Sequence, residues 1–143
     1  MIQIKENQLD VQTYLSLRKK VNWKELSKEQ AKKALDNSLL TICAFQDEKP
    51  IGMARVVGDG AVICYVQDLI IIPEAQGQGV GSMLLEYIKT YVESLTEPGT
   101  QMMLDLMCAK GRESFYEKHG FIARPTKELG PGMIYYVTVP AAN

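Results

Sequence analysis

The stretch from Gln67 to Leu95, Q-D-L-I-I-I-P-E-A-Q-G-Q-G-V-G-S-M-L-L-E-Y-I-K-T-Y-V-E-S-L, decides how the chain is read. Its apolar, mostly β-branched run from Leu69 to Ile72 predicts a strand buried on both faces. Pro73 ends that strand, because proline has no N–H to give to a ladder. Gly77, Gly79 and Gly81 follow at alternate positions. The period then changes. Val80, Met83, Leu84, Tyr87, Ile88, Tyr91, Val92 and Leu95 recur at steps of three and one, which is the stripe of an amphipathic helix. The unit is strand, glycine loop, helix.

Such a unit has a physical use. A helix start leaves backbone N–H groups without intrahelical partners and carries the positive end of the helix dipole. Glycines let a bulky anion approach those groups closely, so the loop suits a phosphate or pyrophosphate. The plainer alternative is a glycine-rich turn with no ligand. A P-loop would need G-x-x-x-x-G-K-[ST], and no lysine follows the glycines here. A dinucleotide fold would need G-x-G-x-x-G, but Ser82 stands where its third glycine belongs, and too little chain remains for a doubly wound sheet. The pattern Q/R-x-x-G-x-G/A does fit, through Gln76, Gly79 and Gly81. In that form, with L-I-I-I-P-E-A before it, the sequence resembles the GCN5-related N-acetyltransferase (GNAT) superfamily, whose loop holds the pyrophosphate of acetyl-CoA. The resemblance covers most of the chain and is strongest at Gln67–Leu95 and Phe115–Phe121.

Bulk properties bound the alternatives. The 143 residues are one domain's worth, and one domain spanning 1–143 is expected. A net charge of −1 argues against a nucleic-acid partner. No apolar run is long enough to cross a membrane, and the N-terminus lacks the pattern of a signal peptide. Cys43, Cys64 and Cys108 are widely spaced with no C-x-x-C, and read as reduced core or near-core thiols of a cytoplasmic protein. With His119 as the sole histidine, a catalytic Cys–His pair and a metal site are both disfavoured.

Taken in order, Met1–Lys5 alternates as a first strand. Leu9–Val21 has helical spacing with Asp10 as a cap. Ser27 followed by Gln30 reads as a capping box for a second helix. Leu39–Phe45 and Ile51–Val57 are strands. Gly58-Asp59-Gly60 signals a tight hairpin into a long strand, Ala61–Ile72. Gln101–Met107 is expected to return parallel to that strand after the helix, closing a right-handed βαβ crossover. A short helix over Gly111–His119 follows, then a strand from Phe121 and a terminal strand over Met133–Val139. The fold class is α+β, with a mixed, mostly antiparallel sheet flanked by helices. This is also the element order of the GNAT fold.

The resemblance implies an enzyme that moves the acetyl group of acetyl-CoA directly to a primary amine of a small molecule or a protein. The alternatives are transfer of another acyl group, or a CoA-binding sensor or interaction module without catalysis. F-Y-E-K-H-G-F, Phe115–Phe121, is similar to the family's F-Y-x-x-x-G-F segment. That makes Tyr116 the candidate acid for the departing thiolate; the alternative is a packed tyrosine with a satisfied hydroxyl. Backbone groups of Leu69, Ile70 and Ile71 would pair with the pantetheine arm. Gln76 and the loop amides of Gly77, Gln78, Gly79, Val80, Gly81 and Ser82 would hold the pyrophosphate. Asp68 next to an apolar run calls for a task or a partner. It could take the amine proton or bind a cationic acceptor, or it could pair with Arg55 on the neighbouring strand. Asp105, in M-L-D-L-M, is a second and weaker candidate, and ordered water without a dedicated base is the remaining alternative. Trp23 is either a core plug for the helix pair or a wall of the acceptor pocket. Where the family often has N-x-x-A ahead of F-Y, this chain has Ala109 and Arg112, and Lys110 and Arg112 are either phosphate contacts or solvated charges. Exposed sheet edges and the C-terminal strand could support a homodimer.

Overall fold

Side-chain caps start the first two helices of the computed structural model, which describes residues 1–142. The Asp10 carboxylate accepts from the Thr13 N–H at 2.7 Å and starts helix α1, Val11–Lys20. The Ser27 hydroxyl does the same for the Gln30 N–H at 3.0 Å, starting α2, Lys28–Asp36. The strands of the first compact unit, Met1–Leu106, are β1 (Ile2–Glu6), β2 (Leu40–Gln46), β3 (Lys49–Gly58), β4 (Ile63–Ile71) and β5 (Met103–Asp105). They form one sheet in the order β1-β2-β3-β4-β5. The first three pairings are antiparallel and β4–β5 is parallel. Helix α3, Val80–Leu95, connects β4 to β5.

The core lies on both faces of this sheet. Tyr14 and Leu17 of α1 are buried, as are Ile42 and Cys43 of β2, Met53 and Val56 of β3, and Leu84, Leu85 and Ile88 of α3. The apolar stripe of α3 is shifted from the sequence reading. Leu85, outside that stripe, is fully buried, while Met83, inside it, is exposed. Tyr87 and Tyr91 are half-buried and donate their hydroxyls to Glu6 Oε1 at 2.9 Å and the Leu39 carbonyl at 3.2 Å. They pack by their rings and turn their polar tips outward. No helix among the described residues is long and apolar enough to cross a membrane.

The β3–β4 connection is longer than the tight hairpin expected from Gly58-Asp59-Gly60. The Asp59 carboxylate accepts from the N–H groups of Ala61, Val62 and Ile63 at 2.8, 2.8 and 3.0 Å. These bonds, that to Ile63 foremost, hold the carboxyl below the usual aspartate range. They also keep Ala61 and Val62 in a loop, so β4 starts at Ile63 rather than Ala61.

Two features of β4 depart from a plain strand. β5 pairs with it only from Ile63↔Met103 to Tyr65↔Asp105, so past Tyr65 the ladder on that side stops. In addition, Arg55 pairs with Gln67 while Met53 pairs with Ile70, which sets Asp68 and Leu69 opposite the single residue Ala54. This is a β-bulge, and Asp68 takes it up with φ 58°, a left-handed conformation that aspartate tolerates better than most residues. The expectation that Leu69–Ile72 is buried on both faces is corrected. Ile70 and Ile72 are buried, but Leu69 and Ile71 are half-buried, because the β5 ladder does not extend beside them.

The second unit, Met107–Asn143, contains helix α4, Glu113–Lys118, inside the expected Gly111–His119. The strands expected from Phe121 and over Met133–Val139 do not form: the described residues from 121 onward carry no helix or strand. Met133, Ile134, Tyr135, Tyr136, Val137 and Val139 are all strongly exposed. Their alternating pattern is strand-like, but a strand exists only where a ladder partner satisfies its backbone.

Gly58 gives a direct test of the loop. It sits at φ 138°, and a Cβ there would lie 2.4 Å from the Ile63 carbonyl oxygen. Gly58→Ala is expected to lower stability by about 1–3 kcal/mol in urea unfolding, since strain and a backbone clash act together.

Candidate functional site

The loop that the sequence singles out is set by backbone conformation. β4 ends at Ile71, a 3-10 turn spans Pro73–Ala75, and α3 begins at Val80. Gly77 and Gly79 have φ of 82° and 81°, and a Cβ at either would meet nothing within 4 Å. Glycine is needed there for the left-handed backbone, and the space in front of the loop is open. Gly79 is the N-cap of α3 and provides no side-chain cap, and the first turn holds no acidic residue. The N-terminus of a sixteen-residue helix therefore faces outward without a built-in anion. Gln76, expected to reach a phosphate, donates its side-chain amide to the Ile71 carbonyl at 3.1 Å and ties the loop to the end of β4. Gln78 makes a longer bond of the same kind to the Glu74 carbonyl.

Upstream of the loop lies the unpaired edge of β4. From Val66 to Ile71 it has β3 on one side and no ladder partner on the other among the described residues. Leu69, Ile70 and Ile71, the residues expected to pair with an extended ligand, all fall on this edge. An edge of this kind accepts an extended chain by main-chain hydrogen bonds.

Asp68 stands at the bulge, 3% exposed. Oδ1 accepts from Arg18 Nη1 at 2.7 Å, and Oδ2 accepts from Arg55 Nε at 2.7 Å and from the Tyr14 hydroxyl at 2.5 Å. The Gln67 side-chain amide adds a longer contact to Oδ1 at 3.4 Å. Burial raises the Tyr14 phenol above its ordinary value, and the bond to Asp68 adds to the rise. Burial alone would lower the Arg55 guanidinium, but the Asp68 carboxylate outweighs it and the net shift is upward. Of the readings open from sequence, pairing with Arg55 is the one this geometry realises, with Arg18 as a second cation. Base and acceptor-binding roles for Asp68 lose their physical basis. Both of its carboxylate oxygens are already engaged by two guanidinium groups and a phenol.

Trp23 is 39% exposed, so the core-plug reading is corrected. Its ring lies 5.5 Å from the Arg18 guanidinium, and Arg18 Nη2 donates to the neighbouring Lys24 carbonyl at 3.0 Å. The segment after α1 is held against Asp68 through one arginine. This arginine anchor has no local sequence signal, because Arg18 lies fifty residues before Asp68.

In the second unit, Tyr116 is half-buried on α4, with its ring edge-on to Phe115 at 5.0 Å and to Phe121 at 5.8 Å. Burial raises its phenol above the ordinary value; Cys108 adds to the rise and Arg112 opposes it. The phenol thus keeps its proton at neutral pH. Arg112 stacks over Phe115 at 5.4 Å. Of the three free cysteines, Cys43 and Cys64 are buried as expected, and burial pushes the Cys43 thiol up to about 12. Cys108 is exposed, which corrects its placement in or near the core.

Known proteins share this fold. The family model of the acetyltransferase (GNAT) domain matches residues 37–123. An uncharacterized N-acetyltransferase, ycf52-like, of Prochlorococcus marinus is 33% identical over 121 residues, which is 82% of this chain and 65% of that protein. This chain thus spans about two thirds of that relative's length. A probable acetyltransferase of unknown function from meticillin-resistant Staphylococcus aureus superposes with a TM-score of 0.83 at 27% identity, covering 96% of this chain and 100% of that one. A predicted acetyltransferase from Clostridium acetobutylicum, solved with acetyl-CoA, shares the fold with a TM-score of 0.69 at 16% identity, covering 90% of this chain and 93% of that one.

The buried charge cluster gives a stability prediction. Asp68→Asn keeps the size and the left-handed tolerance of the residue but leaves Arg18 and Arg55 uncompensated. It should destabilise the fold by about 3–5 kcal/mol in urea unfolding. A change below about 1 kcal/mol would show that the cluster does not hold α1 to the sheet.

Proposed function

The chain belongs to the GNAT acetyltransferase family, and on that premise we propose that it transfers the acetyl group of acetyl-CoA directly to a primary amine of a small molecule or a protein. One observation carries the reading: an uncapped helix N-terminus behind left-handed glycines, continuous with a strand edge that lacks a ladder partner. The first suits a pyrophosphate and the second an extended amide-bearing arm. Acetyl-CoA combines these two groups and supplies, when bound, an acetyl group activated as a thioester. The acetyl-CoA in the Clostridium acetobutylicum structure supports the same donor.

The chain's own residues then have the following parts. The backbone N–H groups of Gly77 to Ser82 hold the pyrophosphate, with the α3 dipole adding attraction. Gln76 acts by fixing the loop to β4 rather than by charge. Backbone groups of Leu69, Ile70 and Ile71 align the arm, and one N–H among them polarises the thioester carbonyl, where negative charge gathers during attack. Tyr116 donates its proton to the leaving thiolate, and its raised pKa keeps that proton in place until it is needed. Trp23 forms part of the wall that receives the acceptor. Three free thiols suit a reducing compartment, which supports a cytoplasmic location.

Isothermal titration of the protein with acetyl-CoA should give a Kd of about micromolar order, with ATP and NADH as weaker controls. No binding at millimolar acetyl-CoA would remove the donor and the enzyme reading together. Tyr116→Phe should lower kcat by about 100-fold or more while acetyl-CoA affinity changes less than about twofold. Unchanged turnover would end the acid role.

A further inference from the structure

The Asp68 oxygens are engaged by two guanidinium groups and a phenol, so a base for the acceptor amine is to be sought elsewhere. We propose that Asp105 is that base, acting at the fork where β4 and β5 part. The inference rests on the acetyltransferase reading above and assigns the side chain that reading lacks.

Register places the residue. Asp105 is the last residue of β5 and pairs with Tyr65, the final step before the two strands separate. Tyr65 and Gln67 are two apart on β4 and share a face. Gln67 pairs with Arg55, whose side chain reaches Asp68 on the α1 face of the sheet. Paired residues share a face, so Asp105 stands on the face that also carries Tyr14, Arg18 and Arg55. An arm anchored at the Gly77–Ser82 loop and running back along β4 from Ile71 to Val66 covers about 16–20 Å, at about 3.3 Å per residue. Its reactive end points into the fork, toward Asp105.

The chemistry of the side chain supports the placement. Two buried side-chain atoms lack a hydrogen-bond partner among the described residues, Arg18 Nε and Asp105 Oδ1. Arg18 still spends Nη1 and Nη2 on Asp68 and the Lys24 carbonyl. Among the described residues Asp105 makes no ion pair. Burial raises its carboxyl above the ordinary aspartate value, and its own backbone N–H opposes the rise only in part. A native fold rarely leaves a buried carboxylate oxygen unsatisfied without a use for it. Asp105 belongs to the first unit, as do β4, the bulge and the glycine loop.

The step balances as follows. An ammonium acceptor gives one proton to Asp105 and becomes a free amine. Its lone pair forms the C–N bond as the C–S bond breaks. The second proton leaves nitrogen while the thiolate gains one, giving an amide, a thiol and one proton released from Asp105 to solvent.

Stability separates this role from a structural one. A carboxyl with a folded pKa above its unfolded value penalises the folded state once it is ionised, so the penalty is present at neutral pH and absent below the unfolded pKa. Asp105→Asn removes the charge and should leave the melting temperature unchanged or raised, whereas loss of a structural carboxylate would lower it.

The experiment follows thiol release from acetyl-CoA with four amine classes as probes: ethylamine, spermidine, a peptide with a free α-amine and a lysine peptide. The best acceptor of the wild-type protein is then used for the variants. Asp105→Asn should lower kcat by about 100-fold or more with acetyl-CoA affinity within about twofold, and Asp105→Glu should recover part of the rate. Turnover of Asp105→Asn within about threefold of wild type would overturn the base while leaving the acetyltransferase reading intact. A wild-type protein that acetylates none of the probes yet binds acetyl-CoA would overturn both. Should the Asn variant fail to fold, Asp105→Ser, which also lacks the carboxyl, decides: a rate equal to wild type overturns the role, and a reduced rate with unchanged acetyl-CoA affinity supports it.

Discussion

One carboxylate fixes the geometry of the first unit. Asp68 draws together Tyr14 and Arg18 of α1 with Arg55 of β3, at a point where its own strand is bulged. Burying a carboxylate costs several kcal/mol unless it is paired and hydrogen-bonded, and here both oxygens are engaged by cations. Arg18 extends the network to the Trp23–Lys24 segment, and Arg55 extends it to the Ser38 hydroxyl at 3.3 Å. α1 with the segment after it, Ser38 and β3 are thereby linked through one side chain. Removing its charge would leave two largely buried guanidinium groups without a counterion between α1 and the sheet.

The bulge and the glycine loop serve the same strand from its two ends. The bulge re-aims β4 in the region where β5 has already left it, so an edge is presented with a bend in it. Such an edge would invite aggregation if it were long, flat and straight. Here it is about six residues long, is bent at Asp68, and ends at Pro73. At its far end Gln76 bonds back to Ile71, which couples the loop position to the strand. An anion at the helix start and an arm on the edge would thus meet a rigid frame, and binding would spend little on ordering the loop.

Most of the sheet was legible because its signals are local. Asp10 and Ser27 cap the helices they were expected to cap, and the change of period at Val80 marks a real helix start. What failed depended on distant partners or on side chains competing with the backbone. Asp59 captured three N–H groups and delayed β4. Met133–Val139 has the alternation of a strand, but alternation does not supply a ladder partner. Leu85 is buried because α3 packs a wider face than its sequence stripe suggests. At the candidate site, the glycine loop could be read from residue types alone. The double arginine clamp on Asp68 could not, since Arg18 and Arg55 lie fifty and thirteen residues away from it.

The two strand carboxylates show how environment divides labour between identical groups. Asp68 and Asp105 share one face of one sheet, and from residue types alone Asp68 has the stronger claim to chemistry because it sits beside the most apolar run. The surroundings reverse that ranking. Two guanidinium groups and a phenol occupy the Asp68 oxygens, whereas Asp105, half-buried at the end of the edge strand β5, has one buried oxygen without a partner among the described residues. Desolvation without compensation makes a carboxylate basic, and desolvation with compensation makes it a structural anion. The same physics that recruits Asp68 to hold the fold therefore leaves Asp105 as the carboxylate suited to receive a proton where the strands diverge.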